Sequence, residues 1–257
     1  MDPQPTLSAG AFAEIGPAIR TVELDFEDLL RRVDISEDEL ADWDNPISLN
    51  AVSELFELAA IAKNDDALSL ELAQRFPARG TGVLGYVLLN APTLRQSLLD
   101  FGRYSRLVAP DIETTLTEDG TGGTLEWRFP DHFLKPRDQF VAFVTATLIV
   151  RIRLVTGGDW MPDQSSLEID APANIEAYRR VFGKNVHFES ARTYLKIKTE
   201  TLDLPMPDAD VRLHKLIQEL GEYRLVELEA ASDIVDRTQD QIILLLNHGP
   251  VSLEMVA

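Results

Sequence analysis

There is no cysteine among the 257 residues, which excludes disulfides, thiolate metal sites and thiol nucleophiles and fits a reducing compartment. Positive charge is also scarce. The 24 Lys and Arg stand against 43 Asp and Glu, a formal net charge of -19 at pH 7. Nucleic-acid phosphate attracts proteins through cations that release condensed counterions, so a chain of this balance is repelled by DNA as a whole. The opening Met1-Asp2-Pro3-Gln4-Pro5 lacks the basic start and apolar run of a signal peptide. The longest apolar stretch, within Phe140 to Val155, has about ten uninterrupted apolar or small residues, half of what a membrane span needs. Neither an internal repeat nor a low-complexity run is present. The expectation is a globular cytoplasmic chain without membrane contact.

Catalytic patterns are missing too. No GxSxG elbow occurs, and the four histidines (His132, His187, His214 and His248) have neither an i,i+4 partner nor an HExxH setting. No metal, cofactor or enzymatic site is therefore expected. Gly80-Thr-Gly-Val-Leu-Gly85 does spell GxGxxG. A dinucleotide site needs a strand before the glycines and an acidic residue ending the next strand. Here the pattern from Leu68 to Arg75 is helical, as is the one holding Asp100. Close packing or a tight turn is the expected use of these glycines. Gly120-Thr-Gly-Gly-Thr124 is read as a hairpin turn, because no Lys-Ser or Lys-Thr follows.

What the chain does have is 45% hydrophobic residues in helical and strand periodicities. Residues 1–22 are small and polar and are expected to form a loose lead-in, with at most a short helix near Phe12 to Ile15. A helix follows through Phe26, Leu29, Leu30 and Val33. Ser36-Glu-Asp-Glu39 has the form of a capping box, and Leu49 to Lys63 and Leu68 to Phe76 read as further packing helices. Arg79 to Val108 is the centre of the organisation, an apolar helix and then a second one opened by Pro92.

Beyond it the period changes. Ile112, Thr114 and Leu116 alternate against Leu125, Trp127 and Phe129 as a hairpin, and Phe140 to Val155 reads as a buried helix ending near Arg151, Arg153 and Gly157. Strand-like segments at Ser166–Ile169, Val186–Phe188 and Tyr194–Lys198 flank a short helix from Asn174 to Phe182. Asp208 then starts an amphipathic helix on which Leu213, Leu216, Ile217 and Leu220 fit either a core or a subunit contact. The fold class is α+β, helices packed around short antiparallel strands and a β-hairpin, with a main domain at 23–230.

Tyr86, Arg103, Tyr104, Trp127, Phe129, His132 and Phe140 gather aromatic and basic side chains near the middle of the chain. Small-ligand pockets are mostly apolar with a few placed polar groups, so these residues are candidates for such a pocket, with Arg103 or His132 meeting an anionic end. Packing in core and rim is the alternative for each.

The order of several short motifs resembles a known family. These are Thr81-Gly-Val-Leu-Gly-Tyr-Val-Leu-Leu-Asn-Ala-Pro-Thr-Leu-Arg-Gln-Ser-Leu98 with Phe101-Gly-Arg-Tyr104, Leu154-Val-Thr-Gly157 with Trp160-Met-Pro162, Tyr178-Arg-Arg-Val-Phe-Gly183 with Val186-His-Phe188, and Leu204-Pro205. Together they resemble the N-terminal effector-binding, arabinose-binding-like domain of AraC-type transcriptional regulators. Ile242-Ile-Leu-Leu-Leu246 and Gly249 to Ala257 resemble the opening of that family's C-terminal DNA-binding part, so residues 231–257 are expected to be a linker and the start of a helix-turn-helix domain. The resemblance implies a module that senses a small-molecule effector and often forms a homodimer, with DNA read only by helix-turn-helix units outside this chain. It does not imply arabinose as effector, nor a sugar-binding jelly roll. A protein-interaction module without a small ligand, or an enzyme using the same central pocket, are the rival readings.

Overall fold

Helix α9 (Asp138–Thr156) runs through the middle of the molecule because its sequence leaves it no polar face. Val141, Ala142, Ala146, Ile149 and Ile152 have no exposed surface. Gly157, left-handed at φ 89°, ends it. By length and composition alone α9 passes for a membrane span, but it is packed inside a protein core. The computed structural model describes residues 4–133, 136–207 and 209–246.

Around α9 lie α5 (Leu49–Lys63), α6 (Leu68–Arg75) and α10 (Ile175–Phe182). Local signals set their ends. Ser48 caps α5 through the Ala51 N–H, Asn64 closes it in the left-handed region, and Asn174 and Gly183 bracket α10. The shorter α3 (Phe26–Arg32) and α4 (Glu37–Ala41) precede them, α4 opened by the reciprocal Ser36–Glu39 capping box.

The sheet has the order β3-β4-β7-β5-β6. Strands β3 (Glu113–Glu118) and β4 (Gly122–Arg128) form the expected hairpin, in register Thr114 to Trp127 and Leu116 to Leu125, with Gly120 at φ 85° in its turn. Strand β7 (Thr193–Lys198) pairs antiparallel with both β4 and β5 (Gln164–Ser166), while β6 (Val186–His187) joins β5 in parallel. The architecture is α+β.

Residues 6–21 are not a loose lead-in. Strand β1 (Thr6–Ser8) pairs with β2 (Pro46–Ser48), and α1 (Ala9–Ala13) and α2 (Gly16–Thr21) bury Phe12, Ile15 and Ile19. The small residues here serve contact: the Trp43 ring lies against Gly10 so closely that a Cβ there would come within 2.0 Å of it.

The central stretch forms α7 (Val83–Asn90) and α8 (Leu94–Tyr104), the latter capped by Thr93. The GxGxxG glycines pack backbones together. A Cβ on Gly85 would meet the Ala78 carbonyl oxygen at 3.1 Å and Arg79 Cα at 3.0 Å. A short helix α11 (Thr199–Leu202) leads toward α12 (Val211–Leu246), which lies across α7 and the end of α8. Asp208, the expected start of that helix, is outside the described residues. Asp210 accepts from the N–H groups of Arg212 and Leu213 instead. The helix also runs past the expected boundary at 230 and through Gly221 without a break. Gly221 sits where a Cβ would come within 2.7 Å of the Tyr104 ring, so it permits a close crossing rather than marking an end.

Candidate functional site

A cavity of about 120 Å³ lies between α1, α5, α8, α9 and the hairpin. Phe12, Phe56, Leu84, Phe101, Trp127 and Phe140 supply much of its wall. Each arrives there from a different element by the periodicity that buries that element, so the cavity is the meeting point of several apolar stripes.

Several of the lining residues also carry polar atoms set behind this apolar surface. Thr81 Oγ1, Ser105 Oγ, Trp127 Nε1, Thr147 Oγ1 and Arg151 Nε and Nη2 belong to cavity-lining residues; all are buried and lack a hydrogen-bond partner. Buried polar atoms are paired in the great majority of cases, so this concentration in one place marks the cavity out from the rest of the core. Helix α9 carries its own control: Thr145 Oγ1 donates to the Val141 carbonyl at 2.8 Å, as helical threonines commonly do, whereas Thr147 two residues on does not.

The two arginines near the end of α9 differ in the same way. Arg153 Nε donates to the Trp160 carbonyl at 2.9 Å, and its Nη2 reaches the Val181 carbonyl at 2.9 Å and the Arg180 carbonyl at 3.1 Å. Arg151, about 200° around the helix, has no carboxylate within 4.0 Å among the described residues. Burial alone pulls its guanidinium down to about 10 from the usual 12.5. A second cavity, of about 270 Å³ and lined by α7, α8, α9 and Met206-Pro207, shares Leu148 and Arg151 with the first.

The cavity communicates with α12 through α8. Phe101 lines the cavity, and its neighbours face outward: Asp100 Oδ2 lies 2.6 Å from His214 Nε2, and Gln218 Nε2 donates to Asp100 Oδ1 at 3.0 Å. Tyr104 donates to Glu222 at 2.7 Å, and Arg103 is paired with the same carboxylate. These partners hold the Glu222 carboxyl down to about 2, Arg103 contributing most. Thr81, Leu84 and Val108 line the cavity on one side and, on the other, a surface cleft bounded by Arg224, Glu227 and Leu228 of α12.

Of the residues singled out from sequence, Trp127 and Phe140 line the cavity. Phe129 is buried beside it, against Phe133 and beneath Arg137. Tyr104 is buried, but its hydroxyl faces α12. Arg103 lies at the surface on Glu222, and Tyr86 is exposed beneath Arg79. His132 is outside the cavity; its carbonyl accepts from Asn50 and its Nε2 is buried without a partner. Neither candidate anion partner, Arg103 or His132, reaches the cavity. Thr81, Ser105, Thr147 and Arg151 were not singled out, and the one available signal was a pair of arginines, Arg151 and Arg153, near the end of a mostly apolar helix. Of the other histidines, His187 is bonded to Asn185, and His248 lies outside the described residues. On α12, Leu213, Leu216 and Leu220 are exposed, while Ile217 packs against the core.

Residues 24–206 match the family described as the arabinose-binding domain of AraC transcription regulator, N-terminal. The chain is 25% identical over 177 residues to an ornithine utilization regulator of Pseudomonas aeruginosa, an alignment covering 68% of this chain and 52% of that protein. It thus spans about half the length of this curated relative. The crystal structure of the transcriptional regulator CdpR from Pseudomonas aeruginosa has the same fold, with a TM-score of 0.53 at 16% identity, covering 79% of this chain and 66% of that one.

Proposed function

Because the chain belongs to the family of AraC-regulator N-terminal arabinose-binding domains, we propose that it is the effector-binding and regulatory part of a cytoplasmic transcriptional regulator, and that it is not an enzyme. The observation that carries this reading is the apolar cavity whose lining residues carry six buried, unpaired polar atoms. Ligand sites combine an apolar wall with a few placed polar groups in this manner.

An effector in the cavity touches Phe101 and Ser105, and through them the side of α8 that holds α12 by Asp100, Arg103 and Tyr104. Binding thereby favours one seating of α12, a population shift rather than a mechanical push. The far end of α12 and residues 231–257 lead into a helix-turn-helix part that reads DNA, in keeping with the share of the curated relative that this chain spans. Exposed Leu213, Leu216, Leu220 and Tyr223 recur at three and four residues along α12, the spacing of a coiled-coil seam, and supply the homodimer contact.

Neither the sugar in the family's description nor the ornithine in the relative's name suits this cavity. A polyol would leave most of its hydroxyls against apolar walls. The two amines of ornithine would find no carboxylate among the lining residues.

A thermal-shift screen of a small-metabolite library tests the proposal. At least one compound is expected to raise Tm in the wild type, with the shift abolished by Ala11→Leu, which fills the cavity. Binding that is indifferent to Ala11→Leu would overturn it.

A further inference from the structure

We propose that the effector is a compact apolar carboxylic acid, its ring-sized body in the cavity and its carboxylate taken side-on by Arg151. This rests on the effector-binding reading and adds the chemical class of the ligand.

Three observations lead there. The first is the pair of unpaired atoms. Nε and Nη2 form one edge of the guanidinium, the fork whose two parallel N–H bonds match the two oxygens of a carboxylate. A cation is repelled by that fork; a phosphate fits it too, but its remaining charged oxygens and a sugar's hydroxyls would lie against apolar walls. Thr147 Oγ1 lies one helical turn before Arg151 on the same helix, and with Ser105 Oγ adds two hydroxyl donors near the same apolar space.

The second is the sign of the charge. In a protein of net charge -19, the residues lining the two adjoining cavities include Arg79 and Arg151 and no aspartate or glutamate. The buried, unpaired Nε and Nη2 of Arg151 are costly to the folded protein, and an anion that pairs with them relieves that cost directly. Arg79 adds a second cation at the adjoining cavity.

The third is size. A cavity of about 120 Å³ is close to the ~150 Å³ apolar void that takes benzene in another protein. A single ring or a short branched or straight alkyl group fills such a space, and a long acyl chain does not.

The experiment is calorimetry on the chain with benzoate, phenylacetate and hexanoate, set against benzyl alcohol, benzamide and benzylamine. The acids are expected to bind at least ~10-fold more tightly than their neutral counterparts and the amine not at all, since a hydrogen-bonded charge pair carries about that much. Arg151→Met is expected to remove the preference, while its ligand-free Tm equals or exceeds that of the wild type because an uncompensated charge has been replaced by an apolar chain. Arg151→Lys keeps the charge without the fork and is expected to recover part of the affinity. Equal affinity for acids and neutral counterparts in the wild type would overturn the proposal without recourse to any variant, and so would acid binding undiminished in Arg151→Met. Neutral probes that bind and are blocked by Ala11→Leu, with acids excluded, would leave the effector reading standing and remove the acid. If no probe of either class binds, the acid is likewise rejected, and the effector reading is decided by the library screen alone.

Discussion

His214 Nε2 and Asp100 Oδ2 are 2.6 Å apart, with side chains only 6% and 5% exposed. Asp100 also accepts from Gln96 within α8 and from Gln218 of α12, so one buried carboxylate ties the long helix to the domain. Removing it leaves the buried His214 without its partner and the half-buried Gln218 without its acceptor. Asp100→Ala is expected to cost about 3 kcal/mol and to lower Tm by roughly 6–12 °C. Hydrogen exchange of the first turns of α12 is expected to quicken more than that of α9. A Tm within 1–2 °C of the wild type, the scale of a surface change, would show that α12 is held elsewhere.

Acid is expected to loosen the same helix farther along. Glu222 has its carboxyl held down to about 2, against an ordinary 4.5, by Arg103 and the Tyr104 hydroxyl. A depressed folded-state value means that its contribution to stability is complete above about pH 4.5 and is lost as pH falls from there toward 2. The pair is partly exposed, and solvent screening keeps the contribution small. Glu222→Gln should flatten the stability profile of the wild type in that window, with a small loss of stability at pH 7 to 8 that disappears as the pH approaches 2. A profile identical to the wild type between pH 2 and 4.5 would contradict the assignment.

The exposed seam of α12 is expected to decide self-association without affecting the fold. Leu216 and Leu220 are 62% and 48% exposed, so their replacement removes little from the core. The double variant Leu216→Asp with Leu220→Asp should sediment as a monomer at concentrations where the wild type is a dimer, with Tm nearly unchanged after extrapolation to low concentration. Identical sedimentation of the two proteins would remove this surface from the account.

Local signals were legible wherever a side chain acts on its own backbone. The Ser36–Glu39 box, the extent of α10 from Asn174 to Gly183 and the Gly120 turn all follow from sequence, because each needs only its neighbours. Packing between distant segments was not legible. Ala9, Gly10 and Ala11 read as a loose beginning, yet all are buried, Gly10 against the Trp43 ring and Ala11 at the cavity. Trp127 and Phe140 were found as cavity residues because large aromatics in periodic elements turn inward. Arg103 was chosen for its charge and instead meets Glu222, over a hundred positions away. Arg151 and Arg153 look alike in sequence. About 200° of helix rotation separates an arginine bonded to several carbonyls from a cavity-lining one whose Nε and Nη2 are unpaired, and only the neighbours across the core distinguish them.

The central claim is that occupancy of the cavity is felt by α12 through α8. Hydrogen–deuterium exchange of the chain, free and saturated with the tightest-binding compound of the library screen, tests it most directly. Protection is expected to rise in α9 and α8 around Phe101 and also in α12 between Val211 and Ala230, with the last gain lost in Asp100→Ala while binding persists. Protection that rises around the cavity and leaves α12 untouched would contradict it.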